Sequence, residues 1–131
     1  MISHRHTFSK GEKLCTEKII SDIFSRRLTK SAFSFPVLAI WRYQELPTPF
    51  PAQILFSVPK KKIKQANQRN RIRRQMREIY RLQKNMLYDS LSLQRLQCAV
   101  VIVYNAQESI PFAQLENAFK EVIGKVLATK P

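Results

Sequence analysis

Acidic residues are scarce in this chain. Nine Asp and Glu stand against 23 Lys and Arg among 131 residues, for a formal net charge of +14 and a pI near 10.3. A nuclease working with two metal ions needs carboxylates gathered within a few ångströms. Here Glu12, Glu17, Asp22, Glu45, Glu78, Asp89, Glu108, Glu116 and Glu121 are scattered. The pairs Glu17/Asp22 and Glu116/Glu121 stand five residues apart in sequence, a spacing that diverges around a helix. No catalytic residue and no metal site are therefore expected on the chain itself. Cysteine is equally sparse: Cys15 and Cys98 lie outside any metal-ligand spacing and read as reduced core residues. No apolar run approaches the roughly 18 residues of a membrane span, so no membrane partner is expected. The start, MISHRHTFSKGEK, has no hydrophobic signal region, and a cytoplasmic location is the expectation. His4 and His6 form a His-x-His in that polar leader, read as a flexible tail rather than a ligand pair. There is no internal repeat and no low-complexity segment, and residues 1–131 read as one domain with 1–8 flexible.

What is abundant is positive charge in one place. Residues 60–84 hold eleven of the 23 basic side chains and a single acid, Glu78. A surplus of that size repels itself in the folded state, so a polyanionic partner is its natural explanation. Lysines come first (Lys60, Lys61, Lys62, Lys64) and arginines follow (Arg69, Arg71, Arg73, Arg74, Arg77, Arg81) with Asn70 among them. Guanidinium groups offer forked donors matched to phosphate oxygens and flat faces that stack on bases, whereas ammonium groups are looser point charges. Ile72, Met76, Ile79 and Tyr80 recur at i, i+4, i+7 and i+8, which predicts a helix docked through one stripe with arginines on an adjoining side. A solvated charged face is the competing reading, but with so few acids no salt-bridge ladder offsets the arginines. Contacts to about six to ten phosphates would make binding fall steeply with salt.

The other elements follow from pattern. Ser9 and Glu12 fit a capping box opening a first helix, continued by Cys15, Ile19, Ile20, Ile23 and Phe24. A strand is predicted over 35–43, with Pro36 at its start or at an edge, and a second over 52–58, the two pairing as a hairpin across QELPTPFP. CAVVIVY, residues 98–104, reads as a buried central strand. Pro111 opens a last helix with Leu115, Phe119, Val122, Ile123 and Val126 facing inward. The order α-β-β-α-β-α, with room for one further strand in 28–44, predicts a two-layer α+β sandwich. The basic helix lies between strands, unlike a helix-turn-helix, so RNA is favoured and DNA is not expected. Phe24, Phe33, Phe35, Trp41 and Tyr43 offer rings that either stack on unpaired bases or pack in the core.

FSVPKKKIKQANQRNRIRRQMREIYR, residues 56–81, resembles the signature region of the bacterial ribonuclease P protein component: a strand ending in Ser-Val, a lysine cluster, a short link, then Arg-Asn-Arg, an apolar residue and two basic ones. Arg69, Asn70, Arg71, Ile72, Arg73 and Arg74 fit it position by position, and the resemblance runs over nearly the whole chain. It implies a fold like domain 2 of ribosomal protein S5, with the basic helix in a left-handed crossover between parallel strands. It implies a ribonucleoprotein that removes 5′ leaders from precursor tRNA, in which the RNA subunit is catalytic and holds Mg2+. The protein would contact that RNA through Lys60–Lys64 and the Arg69–Arg81 face. It would grip the leader in a cleft between the first helix and the sheet, near Ile20, Phe24, Phe33 and Phe35, and promote metal binding. The chain departs from the pattern at Ile20, where an aromatic is common, and in a link that lacks the usual glycine and has Asn67 where an apolar residue is common. The alternatives are a small basic ribosomal protein, whose fold would be shared, and a stand-alone nuclease, against which the scattered carboxylates argue.

Overall fold

A computed structural model describes residues 8–129, so the N-terminal tail with His4 and His6 lies outside the described residues. The longest apolar run takes the position that buries it on both faces. Strand β4 (Cys98–Tyr104) runs inside a four-stranded sheet of order β1-β2-β4-β3, with β1 Lys30–Ser34, β2 Val37–Tyr43 and β3 Ala52–Ser57. β1 and β2 form an antiparallel hairpin, β2 is antiparallel to β4, and β3 is parallel to β4. The further strand allowed for in 28–44 is thus β1. The expected pairing of the 35–43 and 52–58 strands does not occur. β4 inserts between them, because a strand apolar on both faces is most stable with a neighbour on each side. Parallel neighbours cannot be joined by a tight turn, and the connection from β3 to β4 is helix α2 (Ala66–Leu93).

Helices α2 and α3 (Phe112–Ala128) cover one face. Val37, Ala39, Trp41, Phe56, Val100 and Ile102 pack there against Ile72, Met76, Ile79, Tyr80, Phe119 and Val122. This is the expected α+β sandwich, and Ile72, Met76, Ile79 and Tyr80 all lie on the buried stripe of α2. Trp41 faces this core and is fully buried, which removes it from the rings available for stacking.

The other face carries a short helix, α1 (Glu17–Phe24), whose Ile19 and Ile23 pack on Ile40, Ala99 and Val101. Ser9 and Glu12 do form a capping box, with the Ser9 amide donating to Glu12 Oε1 at 3.0 Å, but it closes only a 3-10 turn, Lys10–Glu12. The chain then extends alongside β3, the Leu14 amide donating to the Ile54 carbonyl at 3.0 Å, before α1 begins. Cys15 falls in this extended link and is exposed, contrary to its reading as a core residue, whereas Cys98 is buried. The link ends the continuous helix because Glu12 is drawn inward. Its carboxylate is 1% exposed and pairs with Lys84 of α2, itself 2% exposed. The Tyr88 hydroxyl donates to Glu12 Oε2 at 2.7 Å, and the Tyr80 hydroxyl lies 3.0 Å from that of Tyr88. α1 ends in a turn in which Arg26 (φ 61°) and Leu28 (φ 55°) adopt left-handed backbone, each at a cost of about 1–2 kcal/mol for a residue with a Cβ.

Burial works to raise the Glu12 pKa, but hydrogen bonds from Lys84, the Ser9 amide and Tyr88 outweigh it and hold the carboxyl below its ordinary value of 4.5. A depressed acid contributes stability above its unfolded pKa and loses it as pH falls through the folded one. Urea unfolding is therefore expected to show stability declining below about pH 4.5, with Glu12→Gln lacking that part of the decline. Glu12→Ala should cost about 3–5 kcal/mol by leaving Lys84 charged and unpaired. Adding Lys84→Met to it should restore most of the loss; no restoration would show that the charge pair is not the source.

Candidate nucleic-acid interface

The stripe that docks α2 also sorts its arginines. With 3.6 residues per turn, Arg69 precedes Ile72 by three and Met76 by seven, and so belongs to the docked side. Its guanidinium donates to the carbonyls of Ile63 (2.9 Å) and Lys64 (2.8 Å), holding the lysine-bearing loop against the helix start. Arg73 bonds the side chain of Asn70, and Arg81 forms a two-pronged pair with Glu78, its Nη2 lying 2.7 Å from Oε1. Arg71, Arg74 and Arg77 are exposed and make no ion pair or side-chain hydrogen bond among the described residues. On α2 these three are the forked donors that face outward without a partner among the described residues. The first turn of α2 contains no acid, and its cap residue Gln65 makes no side-chain cap bond, so the positive end of the helix dipole adds to the same field.

Lys60, Lys61 and Lys64 are exposed and Lys62 is half-buried, in a loop anchored by buried Ile63, whose amide donates to the Pro59 carbonyl. The loop leads from the end of β3 round to α2. It therefore joins the arginine side of the molecule to the sheet face carrying α1.

That second face is only partly covered. Residues opposite one another in neighbouring strands share a face, and the row Phe33–Leu38–Val103–Ser57 crosses all four strands. Leu38 and Val103 remain half-exposed, as does Ile20 on the flank of α1. Phe24 at the end of α1 is 49% exposed, Phe33 43%, and Phe35 in the β1–β2 turn 51%. The face is thus an apolar floor bordered by three accessible rings, which suits bases laid flat against it. Tyr43 is half-buried and packs toward the opposite core. Sequence reasoning missed Leu38 and Val103, because a continuous apolar strand does not disclose which of its side chains lack a cover. Among the described residues no group of three or more His, Cys, Asp and Glu side chains gathers as a metal site. Among the described residues no helix is long and apolar enough to cross a membrane.

Comparison with known proteins gives one consistent answer. Residues 8–127 match the family model described as Ribonuclease P. The chain is 27% identical over 123 residues to the ribonuclease P protein component of Porphyromonas gingivalis, covering 94% of this chain and 88% of that one. It is 38% identical over 96 residues to that of Chlorobaculum tepidum, covering 70% and 62%. In fold it is similar to the RNase P protein of Staphylococcus aureus (TM-score 0.66, 16% identity, 88% and 94% covered). It is likewise similar to that of Thermotoga maritima (TM-score 0.65, 18% identity, 87% and 96% covered). The α+β fold expected from the sequence is the fold of those structures, and likeness to ribosomal protein S5 domain 2 is consistent with it.

Arg69 and Arg77 should therefore behave differently when truncated. Arg69→Ala is expected to cost about 1–2 kcal/mol of stability and to speed amide exchange across residues 60–64, through loss of two charge-assisted bonds to carbonyls. Arg77→Ala should leave stability within about 0.5 kcal/mol. Equal stabilities in urea would contradict this division.

Proposed function

We propose, starting from the fact that this chain belongs to the ribonuclease P protein family, that it is the protein subunit of a ribonucleoprotein removing the 5′ leader from precursor tRNA. The observation that carries the reading is the pairing of a free-arginine helix face with a half-open, ring-bordered sheet face, joined by the lysine loop. Arg71, Arg74 and Arg77 on one side of α2 suit a structured RNA backbone, with Asn70, Arg73 and Arg81 beside them, and this is the surface we assign to the catalytic RNA subunit. Arg69 acts by holding the lysine loop in place. The sheet face takes the single-stranded leader: Phe24, Phe33 and Phe35 provide stacking surfaces, while Ile20, Leu38 and Val103 exclude water beneath the bases. Lys60, Lys61, Lys62 and Lys64 meet phosphates where leader and RNA subunit converge.

In this reading phosphodiester hydrolysis belongs to the RNA subunit, which would hold the Mg2+ and with it supply Lewis-acid chemistry for water attack. The protein positions the leader and, by its positive field, reduces the repulsion between two RNA chains. By holding the precursor in register it would promote metal binding at the RNA subunit indirectly. The work takes place in the cytoplasm, where precursor tRNA is matured.

The test is addition of the purified protein to a bacterial ribonuclease P RNA at low Mg2+, following release of the leader. Stimulated cleavage, with none by the protein alone, is the expected outcome. No stimulation of a cognate RNA would favour a ribosomal role. Arg74→Ala and Arg77→Ala should each weaken binding to the RNA subunit and flatten its log–log salt slope by about 0.9, and Arg73→Ala, whose guanidinium is shared with Asn70, should do so less. Phe24→Ala should cost about 1–3 kcal/mol in affinity for precursor carrying a leader.

A further inference from the structure

The leader face has a second charged border, on the side away from the lysine loop. The link before α1 runs beside β3, where the Leu14 amide meets Ile54; α1 itself packs over β4 and β2, and β1 begins at Lys30, six residues after α1 ends. The chain thus passes over the face from the β3 side to the β1 side, and the turn after α1 leads into the β1 edge. That turn is Ser25–Thr29. Arg26 and Arg27 are exposed in it and make no ion pair or side-chain hydrogen bond among the described residues. The nearest acid in sequence, Asp22, is already committed to Arg42 (3.3 Å) and Lys18 (3.7 Å). Backbone bonds fix the turn: the Arg26 amide donates to the Ile23 carbonyl, the Arg27 amide to that of Asp22, and the Ser25 hydroxyl also to Asp22.

Two residues with side chains, Arg26 and Leu28, hold left-handed backbone there, and Leu28 is 81% exposed. A structure that merely needed to turn would be served better by glycine at such positions. Strained backbone of this kind concentrates where side chains are being aimed at a ligand. Here it presents two unpaired guanidinium groups directly after the exposed ring of Phe24.

We propose that the α1–β1 turn is a phosphate clamp for the part of the single-stranded leader that has passed across the sheet face, with Arg26 and Arg27 each taking a phosphodiester. The leader then runs over a charged–apolar–charged track: lysine loop, ring-bordered floor, arginine turn. This rests on the assignment of the leader to the sheet face, and it adds a dependence on leader length, since only a leader long enough to cross the floor reaches the turn.

The experiment uses the reconstituted holoenzyme and two precursor tRNAs, one with a one-nucleotide leader and one with a twelve-nucleotide leader. The quantity read is the ratio of their affinities as a function of salt. Arg26→Ala/Arg27→Ala is expected to lower the long-over-short ratio about tenfold. It should also flatten the salt slope for the long leader by about 1.4, two single-strand phosphate contacts. Arg26→Lys/Arg27→Lys should recover most of the slope, and circular dichroism of each variant checks the fold. If the unaltered holoenzyme gains affinity with leader length and the double alanine variant gains as much, the clamp is overturned while the leader assignment stands. If the unaltered holoenzyme shows no gain with length, the leader assignment falls and the clamp with it.

Discussion

A single buried charge pair governs how this chain is laid out. Glu12 and Lys84 are 72 residues apart and almost wholly removed from water. Taking two ions out of water costs several kcal/mol each, and only good geometry with further hydrogen bonds offsets that. Both conditions hold: one carboxylate oxygen of Glu12 receives Lys84 and the Tyr88 hydroxyl, and the other receives the Ser9 amide and hydroxyl. Burial first, then the neighbouring Tyr80 and Glu12, push the Tyr88 phenol far above its ordinary range, so it stays a neutral donor. The pair latches the segment before α1 onto the middle of α2. It thereby sets the path by which α1 reaches the far side of the sheet, and it braces α2 beyond the stripe formed by Ile72, Met76, Ile79 and Tyr80.

With α2 braced, a concentration of positive charge becomes usable rather than merely repulsive. The arginines fall into two groups by what their guanidinium groups touch. Arg69, Arg73 and Arg81 are engaged with the loop carbonyls, Asn70 and Glu78, and they keep the surface in shape. Arg71, Arg74 and Arg77 point outward. A phosphate backbone meeting this surface finds free guanidinium donors carried on a rigid helix, with forks matched to its oxygens. The open sheet face follows a complementary logic, because an apolar floor with accessible rings binds bases without reading their sequence.

Much of this was legible in the sequence because it is periodic. The α2 stripe, the inward face of α3 and the central β4 all follow from apolar spacing. So did the position of the basic cluster, since charge does not depend on tertiary contacts. What was not legible depends on long-range pairing. The 52–58 strand pairs with β4 rather than with its predecessor, a choice made by β4 from beyond a 28-residue helix. The capping box at Ser9 and Glu12 looked like the start of a long helix, but the acid that forms it is claimed by Lys84, 72 residues away. Arg69 reads as one of six equivalent arginines until the carbonyls of Ile63 and Lys64 are seen beneath it. The uncovered Leu38 and Val103 could not be picked out while the length and placement of α1 were unknown.

The division of labour between the two faces of the sheet is most directly tested by photo-crosslinking in the assembled holoenzyme with precursor tRNA, placing the crosslinker at position 77 or at position 24. The account predicts that position 77 captures the RNA subunit and position 24 captures the 5′ leader. Capture of the leader from position 77, or of the RNA subunit alone from position 24, would contradict it.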